Sequence, residues 1–291
     1  MVMFGVGLSL TLADFISIIR HPRAFFTALS AQMIGLPIIA FIICLIAPIP
    51  AILKVGFIIL AASPGGATSG FLTYLWRGNV ALSLSLTAVN SFLTLFSIPI
   101  VVNLGLRVFI GRETDLHLPF WETVRQIFFI TIIPATIGLF VRQKFPVFAN
   151  RINYPAKYVM LVLLGTVFAI KMFAGESHGG AGLKWSDLLV ITPVALIQNA
   201  ACLFFGYFFM KYMGLSHTSR ITAAMESGVQ NTTLAFLIAN NLLGNQDMVK
   251  PALVYSLYSF WTACFFAYRA NKMSGVRSTP VVMDEDEPEE A

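Results

Sequence analysis

Long apolar stretches with almost no charged residues recur along most of this chain, and they restrict the solvent in which it can fold. Residues 127–141 and 191–209 form two of these stretches. Charged residues make up 11% of the sequence and the mean hydropathy is +0.78, whereas a soluble domain carries about 25% charged residues. Because a chain of 291 residues has too little interior to hide that much apolar surface from water, we expect an integral membrane protein.

The apolar stretches predict helices. In lipid, only helices and closed barrels satisfy every backbone hydrogen bond, and barrel strands alternate over about 10 residues. The stretches here are longer and do not alternate, so the sequence predicts an all-α membrane protein of eight to nine spans. The predicted spans are 2–13 (partial), 25–47, 53–75, 80–105, 121–141, 156–174, 187–210, 218–242 and 251–268.

The distribution of basic residues predicts the orientation. Twelve of the nineteen Lys and Arg residues lie in loops on the same side as residues 14–24, and such an excess is typical of the cytoplasmic face. The C-terminus is then cytoplasmic. Residues 276–291 contain the acidic run 284–290, which predicts a solvated, disordered tail. The basic residues form no patch that would bind nucleic acid, so membrane lipid rather than nucleic acid is an expected partner.

Two predicted spans are interrupted near their middle. The first contains Ser63-Pro64-Gly65-Gly66, and the second contains Glu226-Ser227-Gly228-Val229-Gln230-Asn231. Proline removes a backbone donor and glycine weakens a helix, so we expect a break in each. The two interrupted spans stand at matching places in two halves of the chain that look alike. This pattern points to the midplane site of a secondary transporter. Close packing of helices through small residues is the alternative for the first segment, but packing does not require the carboxylate of the second.

Glu226 is the only acidic residue deep within a predicted span. No Lys or Arg lies deep in another span to neutralise it, and a charged side chain at the bilayer centre costs about 2.5 kcal/mol or more. It must therefore be protonated or paired with a cation. Oxygen ligands from Glu226, from the Gln230 amide and from carbonyls freed by the break suit a small hard cation.

Enzyme functions find little support in the sequence. All four histidines fall in predicted loops, the chain has no HExxH or Walker A motif, and Gly66-Ala67-Thr68-Ser69-Gly70 does not form a GxSxG motif. An intramembrane hydrolase would also lack a general base. Polar residues inside spans, including Gln32, Ser83, Ser85, Thr87, Asn90, Ser91, Gln198 and Asn199, are typical of helix-packing hydrogen bonds as well as of ligands. Ser83 and Thr87 are four residues apart and so share one helix face.

These residues resemble the bile acid:sodium symporter family, especially its bacterial members, from about residue 3 to about residue 270. The motifs that carry the resemblance, in chain order, are Phe4-Gly5-Val6-Gly7-Leu8, Asp14-Phe15, Gln32 with Pro37, Ser63-Pro64-Gly65-Gly66, Arg77-Gly78-Asn79-Val80-Ala81-Leu82-Ser83, and Glu226-Ser227-Gly228-Val229-Gln230-Asn231. The resemblance implies an inverted-repeat fold of about ten helices, in which two broken helices cross near the midplane. It divides residues 1–275 into a panel domain (about 1–20 and 121–175) and a core domain (about 25–105 and 187–270). It also implies that the chain begins part-way through the family's second helix, and that the protein lies in a bacterial inner membrane.

By the same resemblance, two sodium ions bind behind the crossing. The first site would use Ser69, Ser83, Thr87 and Glu226. The second would use Gln32, Glu226, Gln230 and the carbonyls of Ser227 and Val229. A substrate anion would bind near Thr68, Gly70, Asn90, Asn231 and Ser259. Two positions depart from the family pattern: Gly70 stands where an asparagine is usual, and Ser259-Phe260 replaces a polar pair in the last span.

The sequence therefore predicts a sodium-coupled symporter of a small organic anion, working by alternating access with sodium as the coupling ion and no other cofactor. Two alternatives stay open. One is a proton-coupled carrier of the same fold, in which Glu226 alternates between acid and carboxylate. The other is a membrane partner or sensor that transports nothing.

Overall fold

The computed structural model describes residues 2–9, 18, 22–111, 116–149, 151, 162, 165–166, 169–170 and 181–276, and within these ranges the regular structure is helical. The predicted span 156–174 and the predicted tail 276–291 lie almost wholly outside the described residues. We number the helices in chain order. They are α1 Val2–Ser9, α2 Pro22–Ile46, α3 Ala51–Ala62, α4 Ala67–Leu75, α5 Val80–Phe109, α6 Phe120–Lys144, α7 Trp185–Tyr212, α8 His217–Gly228, α9 Thr232–Leu242 and α10 Lys250–Met273.

Four helices of the described part, namely α2, α5, α6 and α7, are long and apolar enough to cross a membrane. Helices α3 and α9 are shorter but also apolar. Large apolar side chains point outward from the bundle, among them Ile46, Trp121 and Phe265, and such a surface is stable only against lipid. The all-helical membrane class is thus confirmed, whereas the number of spans and the division into panel and core domains stay predictions.

The first interrupted span is broken as the sequence predicts. Helix α3 ends at Ala62, and Ser63 continues with an extended backbone (φ −77°, ψ 138°). Pro64 has no N–H to continue the helical ladder. Helix α4 begins after Gly66, which is also extended (φ −135°, ψ −171°). The interruption therefore leaves the carbonyl end of α3 and the amide end of α4 facing the same region.

The second interrupted span is broken after Gly228, where Val229 leaves the helical region (φ −115°, ψ 82°). Helix α9 starts at Thr232, and the Asn231 side chain caps it by accepting a hydrogen bond from the amide of Leu234 at 3.0 Å. Serine, threonine, aspartate and asparagine are the residues that helix N-caps favour. This cap restarts the helix after three non-helical residues, 229–231.

The two breaks contact each other. Gly65 and Gln230 form an isolated antiparallel bridge, and the amide of Asn231 donates to the Pro64 carbonyl at 2.8 Å. The broken helices therefore cross at their interruptions, and the Pro64 carbonyl of one break pairs with the Asn231 amide of the other.

The core lies around these broken helices. Four consecutive residues of α3, 57–60, are completely buried against α5, α9 and α10. A second cluster joins α4, α7, α8 and α10 through residues that include Leu72, Leu203 and Met225. Helix α1 packs closely on α6, because a Cβ at Gly138 would clash with the Phe4 carbonyl. The crossing is thus held from several sides by tightly packed helices.

One ion-pair cluster around the nearly buried Lys250 fixes the end of the core where α7 and α10 begin. Lys250 Nζ lies 2.9 Å from Asp187 Oδ2 and 2.6 Å from Asp247 Oδ1. The Lys250 side chain is only 10% exposed. We expect Lys250→Met to lower the free energy of unfolding by about 1–2 kcal/mol, because both acids lose their partner. The loss is modest because both acids remain partly in contact with solvent. Thermal unfolding in detergent measures this, with Lys272→Met, an exposed site on the same helix, as the matched control. Equal losses in both variants would contradict the prediction.

Candidate functional site

The carboxylate of Glu226 is completely buried at the crossing and accepts three hydrogen bonds from hydroxyl groups. Ser69 and Ser83 donate to Oε1 at 2.8 Å and 2.5 Å, and Thr87 donates to Oε2 at 3.2 Å. Within the described residues no basic side chain forms an ion pair with Glu226. The structure therefore brings together Ser69, Ser83, Thr87 and Glu226 from three different helices.

Local structure explains why these hydroxyls converge. Ser83 and Thr87 lie one turn apart on α5, whose start is fixed by the Asn79 cap on the amide of Leu82. Ser69 lies in the first turn of α4 and accepts a hydrogen bond from the amide of Gly66 at 3.1 Å. Both helices thus present short hydroxyl side chains toward α8.

Gly65 allows the carboxylate to approach the broken backbone. A Cβ at this position would clash with Glu226 Oε2 and would lie 3.0 Å from Ser69 Oγ. A Cβ at Gly66 would instead meet only Asn231 atoms at 3.8–3.9 Å, which is ordinary contact. The two adjacent glycines therefore differ in function: close approach of the carboxylate requires Gly65, whereas Gly66 has room for a side chain.

A second polar group lies beside the first. Asn90 Nδ2 donates to Gln32 Oε1, and Gln32 belongs to a π-helical turn of α2. Gln230 Nε2 donates weakly to the Ser227 carbonyl at 3.5 Å. Gln230 Oε1 and Ser227 Oγ are buried and have no hydrogen-bond partner among the described residues. Buried oxygens without a partner are costly, so this part of the site is suited to a ligand that accepts their lone pairs.

A small cavity adjoins Gln32 and Asn90 of the second group. Its lining includes Gln32, Ser63, Gly65, Asn90, Thr94 and Ser97. One carboxylate, several hydroxyls and two amide oxygens are the hard neutral and anionic donors that small hard cations bind. The donor set around Glu226 and Gln230 is therefore chemically suited to sodium.

The other predicted residues are less closely joined to this group. Thr68 is exposed in the first turn of α4 and Gly70 is half-buried, with Ser83 Oγ 3.6 Å from its Cβ position. The Asn231 side chain caps α9, so it has a structural role in addition to the one predicted. Val229 is buried in the break, and Ser259 is buried in α10, where its carbonyl oxygen lies 3.1 Å from Thr262 Oγ1.

Two residues behind the second break were not identified as site residues from the sequence. Tyr255 of α10 donates its hydroxyl to the Gly228 carbonyl, and Thr262 donates to the Asn199 side chain. Asn199 itself stood out as a polar residue in an apolar span, but it could not be distinguished from a packing residue. Only the fold shows that it reaches the same carbonyl.

Residues 1–179 match the sodium bile acid symporter family. This segment includes Gln32, Ser69, Ser83 and Thr87 but ends before Glu226. Full-length relatives extend the similarity to the second broken helix. The probable sodium/metabolite cotransporter BASS1 of Arabidopsis thaliana chloroplasts is 26% identical over 255 residues, which are 88% of this chain and 61% of that protein.

Two further relatives come from an animal and a bacterium. The ileal sodium/bile acid cotransporter of Oryctolagus cuniculus is 25% identical over 276 residues, covering 91% of this chain and 75% of that protein. The uncharacterized sodium-dependent transporter YocS of Bacillus subtilis (strain 168) is 27% identical over 260 residues, covering 88% and 76%. The chain spans about 60% of the length of the chloroplast relatives that it matches.

Proposed function

Since the chain belongs to the sodium bile acid symporter family, we propose that it is a sodium-coupled secondary transporter of a small organic anion. The observation that carries the proposal is the buried Glu226 carboxylate, which lies at the crossing of two broken helices beside buried oxygens that have no hydrogen-bond partner among the described residues. The names of the relatives, a sodium/metabolite cotransporter and a sodium/bile acid cotransporter, support the same class of function. The proposal assigns no catalytic residue.

Sodium would neutralise the carboxylate in this proposal. An isolated negative charge at the bilayer centre is expensive, and no cationic side chain of the described residues compensates for Glu226. We place a first sodium ion among Ser69, Ser83, Thr87 and Glu226. We place a second among Gln32, Glu226, Gln230 and the carbonyls of Ser227 and Val229. Binding of either ion requires the hydroxyl hydrogens to turn away from the carboxylate, so that their oxygens can act as ligands.

The substrate anion would bind on the side of the crossing where helices begin. Helices α4 and α9 both start at the crossing, and the N-terminal ends of helices attract negative charge. Helices α3 and α8 both end there, and their carbonyl ends attract cations. We therefore assign the region near Thr68, Gly70 and Asn231 to a carboxylate or sulfonate, with Asn90 and Ser259 as further contacts.

Transport would follow from alternating access between a panel and a core domain, and sodium and substrate would each strengthen the binding of the other. Such linkage is reciprocal, with coupling free energies of about 1–3 kcal/mol. Sodium fixes the crossing, so the anion meets helix ends that are already in place. We assign the protein to a multi-pass position in a bacterial inner membrane with the C-terminus in the cytoplasm.

Uptake into proteoliposomes tests the proposal. We expect an inward sodium gradient at fixed pH to accelerate the uptake of at least one of taurocholate, pantoate and pyruvate, compared with an equal potassium gradient. A sodium ionophore should abolish the difference. Uptake that follows the pH gradient and ignores sodium would instead establish the proton-coupled alternative, and binding without saturable flux would establish a non-transporting partner.

A further inference from the structure

The break in the second crossing helix removes the helical partner of the Gly228 carbonyl, among others. In a continuous helix the Gly228 carbonyl would accept from the amide of Thr232, four residues further on. Here the amide of Thr232 donates to the Gln230 carbonyl at 2.9 Å instead. Gly228 is buried, and a buried carbonyl without a partner destabilises the fold. Other groups must therefore satisfy it.

Two side chains from unbroken helices do so. Asn199 Nδ2 of α7 donates to the Gly228 carbonyl at 2.7 Å, and the Tyr255 hydroxyl of α10 donates to it at 2.7 Å. Both residues are 1% exposed. Asn199 Nδ2 also lies 3.1 Å from the Tyr255 hydroxyl oxygen, so each of the three groups contacts the other two. The carbonyl is held from two directions.

Thr262 fixes the orientation of the Asn199 amide. Its hydroxyl donates to Asn199 Oδ1 at 2.5 Å, which leaves the amide hydrogens to point at Gly228. The same hydroxyl lies 2.9 Å from the Tyr258 carbonyl in its own helix, so without Asn199 it would still have a partner. The contact with Asn199 is the shorter of the two, and Asn199 in turn reaches the break through the Gly228 carbonyl.

Unlike the Gly228 carbonyl, side-chain oxygens near it in sequence lack hydrogen-bond partners among the described residues. Ser227 Oγ and Gln230 Oε1 are buried without partners among the described residues, and Glu226 precedes them directly. The carbonyl that Asn199 and Tyr255 hold is therefore turned away from ligand binding, while its neighbours remain available.

We propose that Asn199 and Tyr255 are positioning residues for the coupling cation, since by holding the Gly228 carbonyl they fix the backbone of residues 227–230 in the conformation that presents the oxygens of Glu226 and Gln230. This inference rests on the proposed function. Neither residue contacts the cation, and both act through the backbone. Loss of one of the two hydrogen bonds should weaken cation binding, although none of the oxygen ligands has been removed from the chain.

A sodium titration of thermal stability tests the inference on the full-length chain in detergent, with potassium replacing sodium so that ionic strength stays constant. We expect Tyr255→Phe to raise the sodium concentration at half-maximal stabilisation roughly five- to tenfold. The matched control is Tyr268→Phe, the same chemical change at a site on the same helix that is 39% exposed. The control should titrate like the wild type.

A second pair of variants keeps the test decisive if Tyr255→Phe does not fold. Thr262→Val removes the hydroxyl that orients Asn199 and should raise the sodium midpoint. Thr262→Ser keeps the hydroxyl and should have the midpoint of the wild type. If one of these residues only stabilised the fold, its substitution would lower the melting temperature in potassium without moving the sodium midpoint. Unchanged midpoints in the folded variants, with a wild type that responds to sodium, would overturn this inference alone. A wild type that gives no sodium-specific shift would overturn the proposed function as well.

Discussion

Replacing Glu226 by glutamine should abolish the stabilisation of this protein by sodium. The proposed ion binds the folded state only, so it stabilises by RT ln(1 + [L]/Kd), or about 1.4 kcal/mol at ten times Kd. At roughly 2–4 °C for each kcal/mol, the wild type should melt several degrees higher in sodium than in potassium. Glutamine keeps the size of the side chain and one carbonyl oxygen, but it removes the charge that attracts the cation.

The fold should survive this substitution. Ser69 and Ser83 can still donate to the glutamine oxygen, and the new amide can donate to the Thr87 hydroxyl, which lies 3.2 Å from Oε2 in the wild type. We therefore expect Glu226→Gln in potassium to melt close to or above the wild type, because a buried charge without a partner is gone. Glu122→Gln removes an acid in the exposed first turn of α6 and serves as the matched control. If Glu226→Gln kept the full sodium-dependent rise in melting temperature, this carboxylate would not be part of the cation site.

The two adjacent glycines of the first break should respond very differently to alanine. In Gly65→Ala the new methyl group would clash with Glu226 Oε2, so the carboxylate or the crossing backbone must move. Such overpacking costs typically 1–3 kcal/mol, and it displaces the very oxygen that the proposed cation needs. We expect Gly65→Ala to lose sodium-dependent uptake and to shift the sodium midpoint by tenfold or more.

Gly66→Ala is the matched control for this prediction. Its methyl group would meet Asn231 at 3.8–3.9 Å, and its extended backbone suits any residue. We expect little change in stability or in the sodium midpoint. Uptake and thermal-shift measurements on the pair decide the matter. Equal behaviour of the two variants would show that the close approach of Gly65 to Glu226 has no part in cation binding.

Several features of the site could be predicted from sequence because each depends on local chemistry. Pro64 and the glycines beside it cannot continue a helix, so the first break was predictable. Glu226 stood out because a carboxylate in a 25-residue apolar span has no cheap location in lipid. Helical spacing placed Ser83 and Thr87 on one face, and the family resemblance assigned them to the cation site. Membership of the family then connected these residues, and the structure places three hydroxyl donors on the Glu226 carboxylate.

Other features required the fold. No sequence pattern indicates that Gly65 approaches Glu226, because these residues lie more than 150 positions apart and meet only when the two breaks cross. The same is true of Tyr255 at the Gly228 carbonyl and of Lys250 between two aspartates. Asn231 shows the reverse case: its side chain is a helix cap in the structure, a local role that its place in the motif did not reveal.

Short segments of sequence were enough to show that this chain needs lipid, that its spans are helical and where two of them are interrupted, because solvent preference and backbone geometry are local properties. The backbone pairing between the two breaks, and the buried oxygens that lack partners among the described residues, became visible only in the folded chain. Those outcomes depend on hydrogen bonds between distant helices, and in a low-dielectric interior the satisfaction of each polar atom is settled by the atoms packed around it.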